Sequence, residues 1–187
     1  MNNLQYDVFD LNKKILSFLR WRFSDEHSDV SEWKWHKEIE RSKLNISLGK
    51  DRGDIERGKR AGLYLNNSVV RNNQIVVNNS QNLAVKDATY TFLTTRFSSF
   101  RITCDCAQPG DSLRLGNLVF NLLTEFELPF SSYIGIKKMF ELELGETLPN
   151  KDDKKTYETP VSFAAQWERQ WTITLITPSI SLEYDIS

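Results

Sequence analysis

The stretch TPVSFAAQWERQWTITLITP, residues 159–178, alternates between apolar and mostly polar side chains along almost its whole length. Every second residue of a β-strand points to the same side of the sheet, so this pattern predicts a strand with one apolar face. At roughly 3.3 Å per residue, a straight strand over residues 160–177 would be about 50 Å long, more than the width of a small domain's sheet. The strand must therefore bend at a bulge or project beyond its neighbours. Its apolar face would carry Val161, Phe163, Ala165, Trp167, Arg169, Trp171, Ile173 and Leu175.

Further strands are indicated by the same alternation elsewhere in the second half of the chain. Residues 89–106, TYTFLTTRFSSFRITCDC, are rich in Thr, Phe and Tyr and alternate most clearly from Phe100 to Cys106. The stretch IGIKKMFELELG resumes the alternation until Gly145. Between residues 66 and 82, short β-branched runs are separated by Asn doublets, which predicts weak strands joined by turns.

Two segments have the periodicity of amphipathic helices. After the breaker QPGD, apolar residues recur at offsets of 0, 3, 4, 7, 8 and 11 between Leu115 and Phe126. We expect Asp111 or Ser112 to cap this helix and Pro129 to end it. A shorter helix is predicted near the N-terminus, capped by Asp10. Its apolar positions are Leu11, Ile15, Phe18, Leu19 and Phe23.

The order of these elements predicts an α+β fold. We expect a mainly antiparallel sheet packed against one long amphipathic helix, with an N-terminal helix and a flexible arm. The chain of 187 residues is expected to form a single domain, residues 1–187. Within it, residues 24–84 would be an extended arm with weak strands, and residues 85–178 the core α+β unit. Four of the eight glycines lie between residues 49 and 62, which favours a flexible loop there.

The composition excludes several classes of function. Lys and Arg total 24 against 25 Asp and Glu, a formal charge of −1, so the whole chain has no electrostatic attraction for nucleic acid or anionic membranes. No apolar run approaches the roughly 20 residues of a membrane span, and no signal-peptide pattern is present. With only two cysteines, a disulfide framework is also excluded. We expect a soluble protein with no membrane partner, folded in a reducing compartment.

No catalytic or metal-binding motif emerges from the sequence. A Ser or Cys nucleophile usually needs a histidine base, and the two histidines, His27 and His36, lie in a weakly patterned stretch. Cys104 and Cys106 offer two thiolates, but no second Cys pair or matched His pair completes a zinc site, so we interpret them as buried strand residues. The sequence predicts a protein that is not an enzyme and has no cofactor.

The segment QWERQW is the first candidate interface. On a strand, Trp167, Arg169 and Trp171 face the same way, at a spacing that lets the guanidinium lie against the indoles. Trp and Arg often dominate the energetics of interfaces, which favours an anchor for a neighbouring molecule. The alternatives are a ladder at the edge of the core, with Arg169 reaching outward, and a sugar-binding platform.

A basic loop is the second candidate. Residues 41–62 contain seven Lys and Arg against three acids, a local net charge of +4. The part GKDRGDIERGKRAG, residues 49–62, lacks the residue order of a phosphate-binding loop. It could dock on a protein and become ordered on assembly, remain a flexible loop, or make non-specific DNA contacts. The residues that would make these contacts are Arg52, Arg57, Lys59 and Arg60.

The chain runs from an N-terminal helix through the strand SSFRITCDC, the helix LRLGNLVFNLL and a further strand to the closing strand PVSFAAQWERQWTITL. This order resembles the tail-terminator and head-tail joining (neck) proteins of tailed bacteriophages. The resemblance covers residues 85–178 and carries over no individual site residue. It implies a non-enzymatic virion protein that forms a homo-oligomeric ring and contacts the portal or connector and the tail tube or other neck proteins. It also implies assembly in the host cytoplasm and a final location in the neck or tail of the virion. The alternative is a β-rich carbohydrate- or ligand-binding module that uses exposed tryptophans.

Overall fold

Three helices and six strands make up the part of the chain that the computed structural model describes, residues 8–24, 32–49, 61–82, 87–151 and 155–176. Within these ranges only the backbone is described for residues 68–93 and 169–176. In chain order the elements are α1 (Val8–Arg22), β1 (Leu44–Leu48), β2 (Ala61–Asn82), β3 (Asp87–Cys106), α2 (Pro109–Glu125), α3 (Glu127–Ile134), β4 (Lys138–Leu144), β5 (Leu148–Pro149) and β6 (Tyr157–Ile176).

The six strands form one mixed sheet in the order β1-β2-β3-β6-β4, with β5 also paired to β6. The strands β1 and β2 run parallel, and the other paired strands run antiparallel. Parallel neighbours need a connection of about a dozen residues or more, and residues 49–60 provide it here. The predicted mixture of helix and sheet is confirmed. The single long helix on a mainly antiparallel sheet is replaced by three helices and a mixed sheet.

The strands match the sequence patterns unevenly. The predicted strand at residues 89–106 is confirmed as β3, and the ribbon of residues 160–177 is confirmed as β6. The expectation of weak strands separated by turns at residues 66–82 was wrong, because β2 continues through to Asn82 with two register shifts. Its pairing with β3 over this length outweighs the turn preference of the Asn doublets.

The helices also differ from the prediction at their ends. The N-terminal helix is confirmed as α1, but Asp10 does not cap it, because the described helix already begins at Val8. The helix α2 begins at Pro109, in the first turn, where a missing N–H costs nothing. Ser112 does not cap α2: its hydroxyl donates to the carbonyl of Cys104 at 2.8 Å and also pairs with the Thr159 hydroxyl at 2.9 Å. Pro129 does not end α2 either, since it lies in the first turn of α3, where proline is tolerated.

The core lies between the helices and one face of the sheet. Cross-strand neighbours Leu65, Ile102 and Val161 are buried on this face. A chain of aromatic contacts crosses from helix to sheet, with ring centroids 4.8 Å apart for Phe18 and Phe130, 6.1 Å for Phe130 and Phe163, and 5.2 Å for Phe163 and Phe100. These rings join α1, α3, β6 and β3 into one packed unit.

Part of the segment predicted as an arm, residues 24–84, also belongs to this core. Trp33, Leu44, Ile46 and Leu63 are all buried among the core residues. They bring β1 and the first residues of β2 under α1. The remainder of the predicted flexible loop, residues 50–60, lies outside the described residues.

The packing of α2 can be tested with two leucines of the same helix. Leu123 is fully buried, whereas Leu113 is 43% exposed. Leu123→Ala should lower the free energy of unfolding by about 2–5 kcal/mol, because it leaves a cavity between helix and sheet. The matched variant Leu113→Ala should change it by no more than about 0.5 kcal/mol. Chemical denaturation measures both, and equal effects would contradict the helix-on-sheet packing.

Candidate interaction surfaces

The three longest strands continue well beyond the rest of the sheet. β6 pairs with β3 in unbroken register from Tyr157 opposite Cys106 to Ile176 opposite Asp87. In contrast, β4 reaches only Gln166 of β6, and β1 pairs only with residues 61–65 of β2. The predicted ribbon therefore projects rather than bending at a bulge. We call the projecting part, residues 72–82, 87–96 and 167–176, the distal ribbon.

The distal ribbon has two open edges. Its middle strand is β3, so β2 lies on one side and β6 on the other. Among the described strands, none pairs with the outer side of β2 over residues 72–82 or of β6 over residues 167–176. Open edges of this kind present rows of N–H and C=O groups that can pair with another chain.

Trp167 marks the point where the core ends and the distal ribbon begins. Its side chain has no exposed surface, and its buried indole Nε1 has no hydrogen-bond partner among the described residues. The prediction that Trp167 anchors a neighbouring molecule is therefore corrected, because the ring is part of this chain's own core. A core residue and an interface anchor on this strand would show the same alternation, so the sequence could not distinguish these two roles for Trp167.

For the other predicted interface residues, the structure describes either the backbone alone or nothing. The backbone of Arg169 pairs opposite Thr94, and that of Trp171 opposite Phe92, both within the distal ribbon. Their side chains are among those not described. The residues of the basic loop also lie outside the described ranges, so its role in docking or DNA contact stays a prediction. These residues are Arg52, Arg57, Lys59 and Arg60.

The two cysteines are buried strand residues, as predicted. Cys104 is fully buried and Cys106 is 4% exposed. Burial raises the pKa of Cys104 well above its usual value, with a further contribution from Cys106. Burial, followed by the charges of Asp111 and Asp105, raises the pKa of Cys106 to about 12. Both thiols are therefore protonated and poorly nucleophilic near neutral pH.

Among the described residues, no group of three or more His, Cys, Asp or Glu side chains is placed to hold a metal ion. Of the two histidines considered as bases, His36 accepts a hydrogen bond from the Glu38 amide at its Nδ1, 3.0 Å away. His27 lies outside the described ranges.

A basic pocket that the sequence analysis did not identify lies between α1 and β1. It has a volume of about 320 Å³. Arg20 contributes its guanidinium, which donates from Nη2 to the carbonyl of Ile46 at 2.8 Å and lies 5.6 Å from the ring centre of Trp35. Burial lowers the pKa of Arg20 below its usual value, yet an arginine remains charged at physiological pH. The lining residues are Arg20, Trp35, His36, Lys37, Ile39, Ser42, Leu44, Asn45, Ile46 and Ser47.

A second cavity, of about 330 Å³, lies on the outer surface where α1 meets α3. It is lined by Ser17, Phe18, Trp21 and Tyr133, and the last two side chains are about half exposed. Lys14 donates to the carbonyl of Tyr133 at 3.0 Å and so ties the two helices together beside the cavity.

Comparison with known proteins does not assign the chain. Neither a protein-family model nor a curated protein matches its sequence. In the part of the chain that is described, no helix has the length and apolar character needed to cross a membrane.

The buried thiols should make folding sensitive to alkaline pH. The unfolded chain loses the Cys106 proton near pH 9, whereas the folded chain keeps it to about pH 12. Between these values the folded state binds more protons, so the free energy of unfolding should fall as pH rises. Urea titrations at several pH values from 8 to 11 measure the slope.

Cys106→Ala provides the comparison for this effect, because lysines and tyrosines also titrate in the same range. The variant should lose less stability than the wild type over the same pH interval, whatever its stability at pH 8. If the free energy of unfolding changes with pH by the same slope in both proteins, folding does not raise the pKa of Cys106.

Proposed function

We propose that this chain is a non-enzymatic structural protein of a tailed-phage virion. It would form a ring in the neck or at the top of the tail and join the head, at its portal, to the tail. The observation that carries the proposal is the distal ribbon, a three-stranded extension with one open edge on β2 and another on β6.

The two edges suit head-to-tail association of identical subunits. Over ten residues of β6, about five residues direct their N–H and C=O groups outward, because these directions alternate along a strand. The outer edge of β2 has a similar length. Pairing β6 of one subunit with β2 of the next would continue the sheet. A repeated contact between two different surfaces closes into a ring when its rotation allows.

The placement in a virion rests on the resemblance in element order over residues 85–178. Support for it comes from the order of the described elements, in which α2 follows β3, β4 follows the helices and β6 comes last. The portal or connector and the tail tube or other neck proteins would be the partners. The basic loop of residues 49–62 would supply a further contact, to a neighbouring protein or to DNA phosphates.

The alternative of a carbohydrate-binding module has less support. A sugar platform needs exposed aromatic rings, but Trp33 and Trp167 are both buried. Of the tryptophans whose side chains are described, Trp21 is the most exposed, and it stands beside phenylalanine and tyrosine rather than in a ring of polar groups.

Proline substitutions at adjacent positions test the role of the β6 edge. Thr172→Pro and Ile173→Pro each remove one N–H, and neighbouring N–H groups of a strand point in opposite directions. One variant should lose a bond to β3. The other should keep the native circular dichroism spectrum but fail to assemble, as measured by light scattering and negative-stain electron microscopy. Rings formed by both variants, or a monomeric wild type, would contradict the proposal.

A mixing experiment then tests whether the contact joins two different edges. The β2 edge is blocked in the same way, with Gln74→Pro and Ile75→Pro, and the folded but non-assembling variant is chosen. Mixed with the blocked β6 variant, it should form heterodimers and nothing larger, because each partner keeps one open edge. Rings from the mixture would indicate that the assembly uses another surface.

A further inference from the structure

The basic pocket between α1 and β1 differs in charge from the chain as a whole. Arg20, His36 and Lys37 line it, and none of the described residues that line it is an Asp or Glu. The protein carries a formal charge of −1, so this concentration of cationic and donor groups is local. A cleft lined by charge of one sign attracts ligands of the opposite sign.

Arg20 is held in place but only partly satisfied. The structure gives its guanidinium one hydrogen bond, to the carbonyl of Ile46, and within the described ranges no carboxylate is paired with it. Its buried Nε has no hydrogen-bond partner in the described part of the chain. Because an arginine has five N–H donors arranged in a rigid fork, a fixed guanidinium with unused donors is suited to the oxygens of a carboxylate or phosphate.

The rest of the pocket supplies further donors. His36 accepts at Nδ1 from the Glu38 amide, so in its neutral form the proton is on Nε2, which can donate. Asn45 lies 3.4 Å from the Ser47 hydroxyl and donates to it, which leaves the hydroxyl proton of Ser47 for another acceptor. Lys37 is exposed at the same cavity.

Part of the pocket wall is apolar. Trp35 is half-buried beneath the guanidinium, Leu44 and Ile46 are buried, and Ile39 is 59% exposed. A cavity that combines exposed apolar surface with fixed donors fits an organic molecule better than a small inorganic ion.

From these observations we propose that the basic pocket binds an organic anion. Its phosphate or carboxylate group would contact Arg20 and Lys37, and its apolar body would pack against Trp35 and Ile39. This site is independent of the open edges of the distal ribbon, so it can be present or absent whether or not the chain forms rings.

Small aromatic probes separate the two parts of the proposal. Phenyl phosphate and benzoate carry the two candidate anionic groups on the same ring, benzyl alcohol is neutral, and inorganic phosphate lacks the ring. Each probe would be titrated into the full chain. Calorimetry would measure its affinity, and NMR would record the chemical shift of the Arg20 Nε–H. At least one of the two aromatic anions should bind and shift that signal. The anion with the higher affinity shows whether the pocket prefers phosphate or carboxylate.

Two results would overturn the proposal. If benzyl alcohol binds as well as the aromatic anions, the cavity recognises only apolar surface. If inorganic phosphate binds as well as phenyl phosphate, or if no aromatic anion binds at millimolar concentration, there is no organic-anion site.

Variants of the pocket provide the matched controls. Lys37→Gln, at an exposed position, should weaken binding several-fold without affecting the fold, and Arg20→Gln should weaken it at least about tenfold. Arg20→Lys keeps the charge but not the fork, so it should bind more weakly than the wild type if the fork is used. Lys138→Gln, at an exposed position on β4, should bind like the wild type. If Lys37→Gln and Arg20→Lys, each measured as a single variant, both bind the aromatic anion as tightly as the wild type, the pocket is excluded as the binding site.

Discussion

The pairing of β3 with β6 is the interaction on which the rest of the molecule depends. The two strands share an unbroken register over all twenty residues of each. At one end of this pair, the apolar face carries Ile102, Phe163 and their neighbours and is covered by helices. At the other end, β2 alone of the described strands joins them. The same ladder thus supports both the core and the distal ribbon, and a change of register would turn the buried side chains to the opposite face.

The boundary between these two halves lies near Trp167, just beyond the last residue of β6 that pairs with β4. Trp167 is the last described side chain of β6 to be fully buried. Residues after it continue the alternation without neighbours from β4. A strand of a single-subunit core has no need for this extra length, so the length itself is the main physical reason to consider an assembly.

Much of this arrangement could be predicted from the sequence. Alternation identified β3 and β6, and helical periodicity identified α1 and α2, because each has one side against the core. The parallel pairing of β1 with β2 had no comparable signal, because β1 has only five residues. The helix α3 was missed because Pro129, which lies in its first turn, suggested the end of α2 instead. The basic pocket was missed because Arg20 follows the pattern of a solvated helix face. Its stacking on Trp35 depends on residues distant in the chain.

The position of β6 in the chain also has a consequence for folding during synthesis. β2 and β3 are adjacent in sequence and can pair as soon as both have left the ribosome. β6 must wait for α2, α3, β4 and β5 to be made. Until then the edge of β3 that β6 will occupy is open along twenty residues, and contacts between distant segments are slow to form. Each nascent chain therefore passes through a stage in which it can accept a strand from a neighbour in place of its own, so slow translation or crowded ribosomes would favour swapped or aggregated subunits.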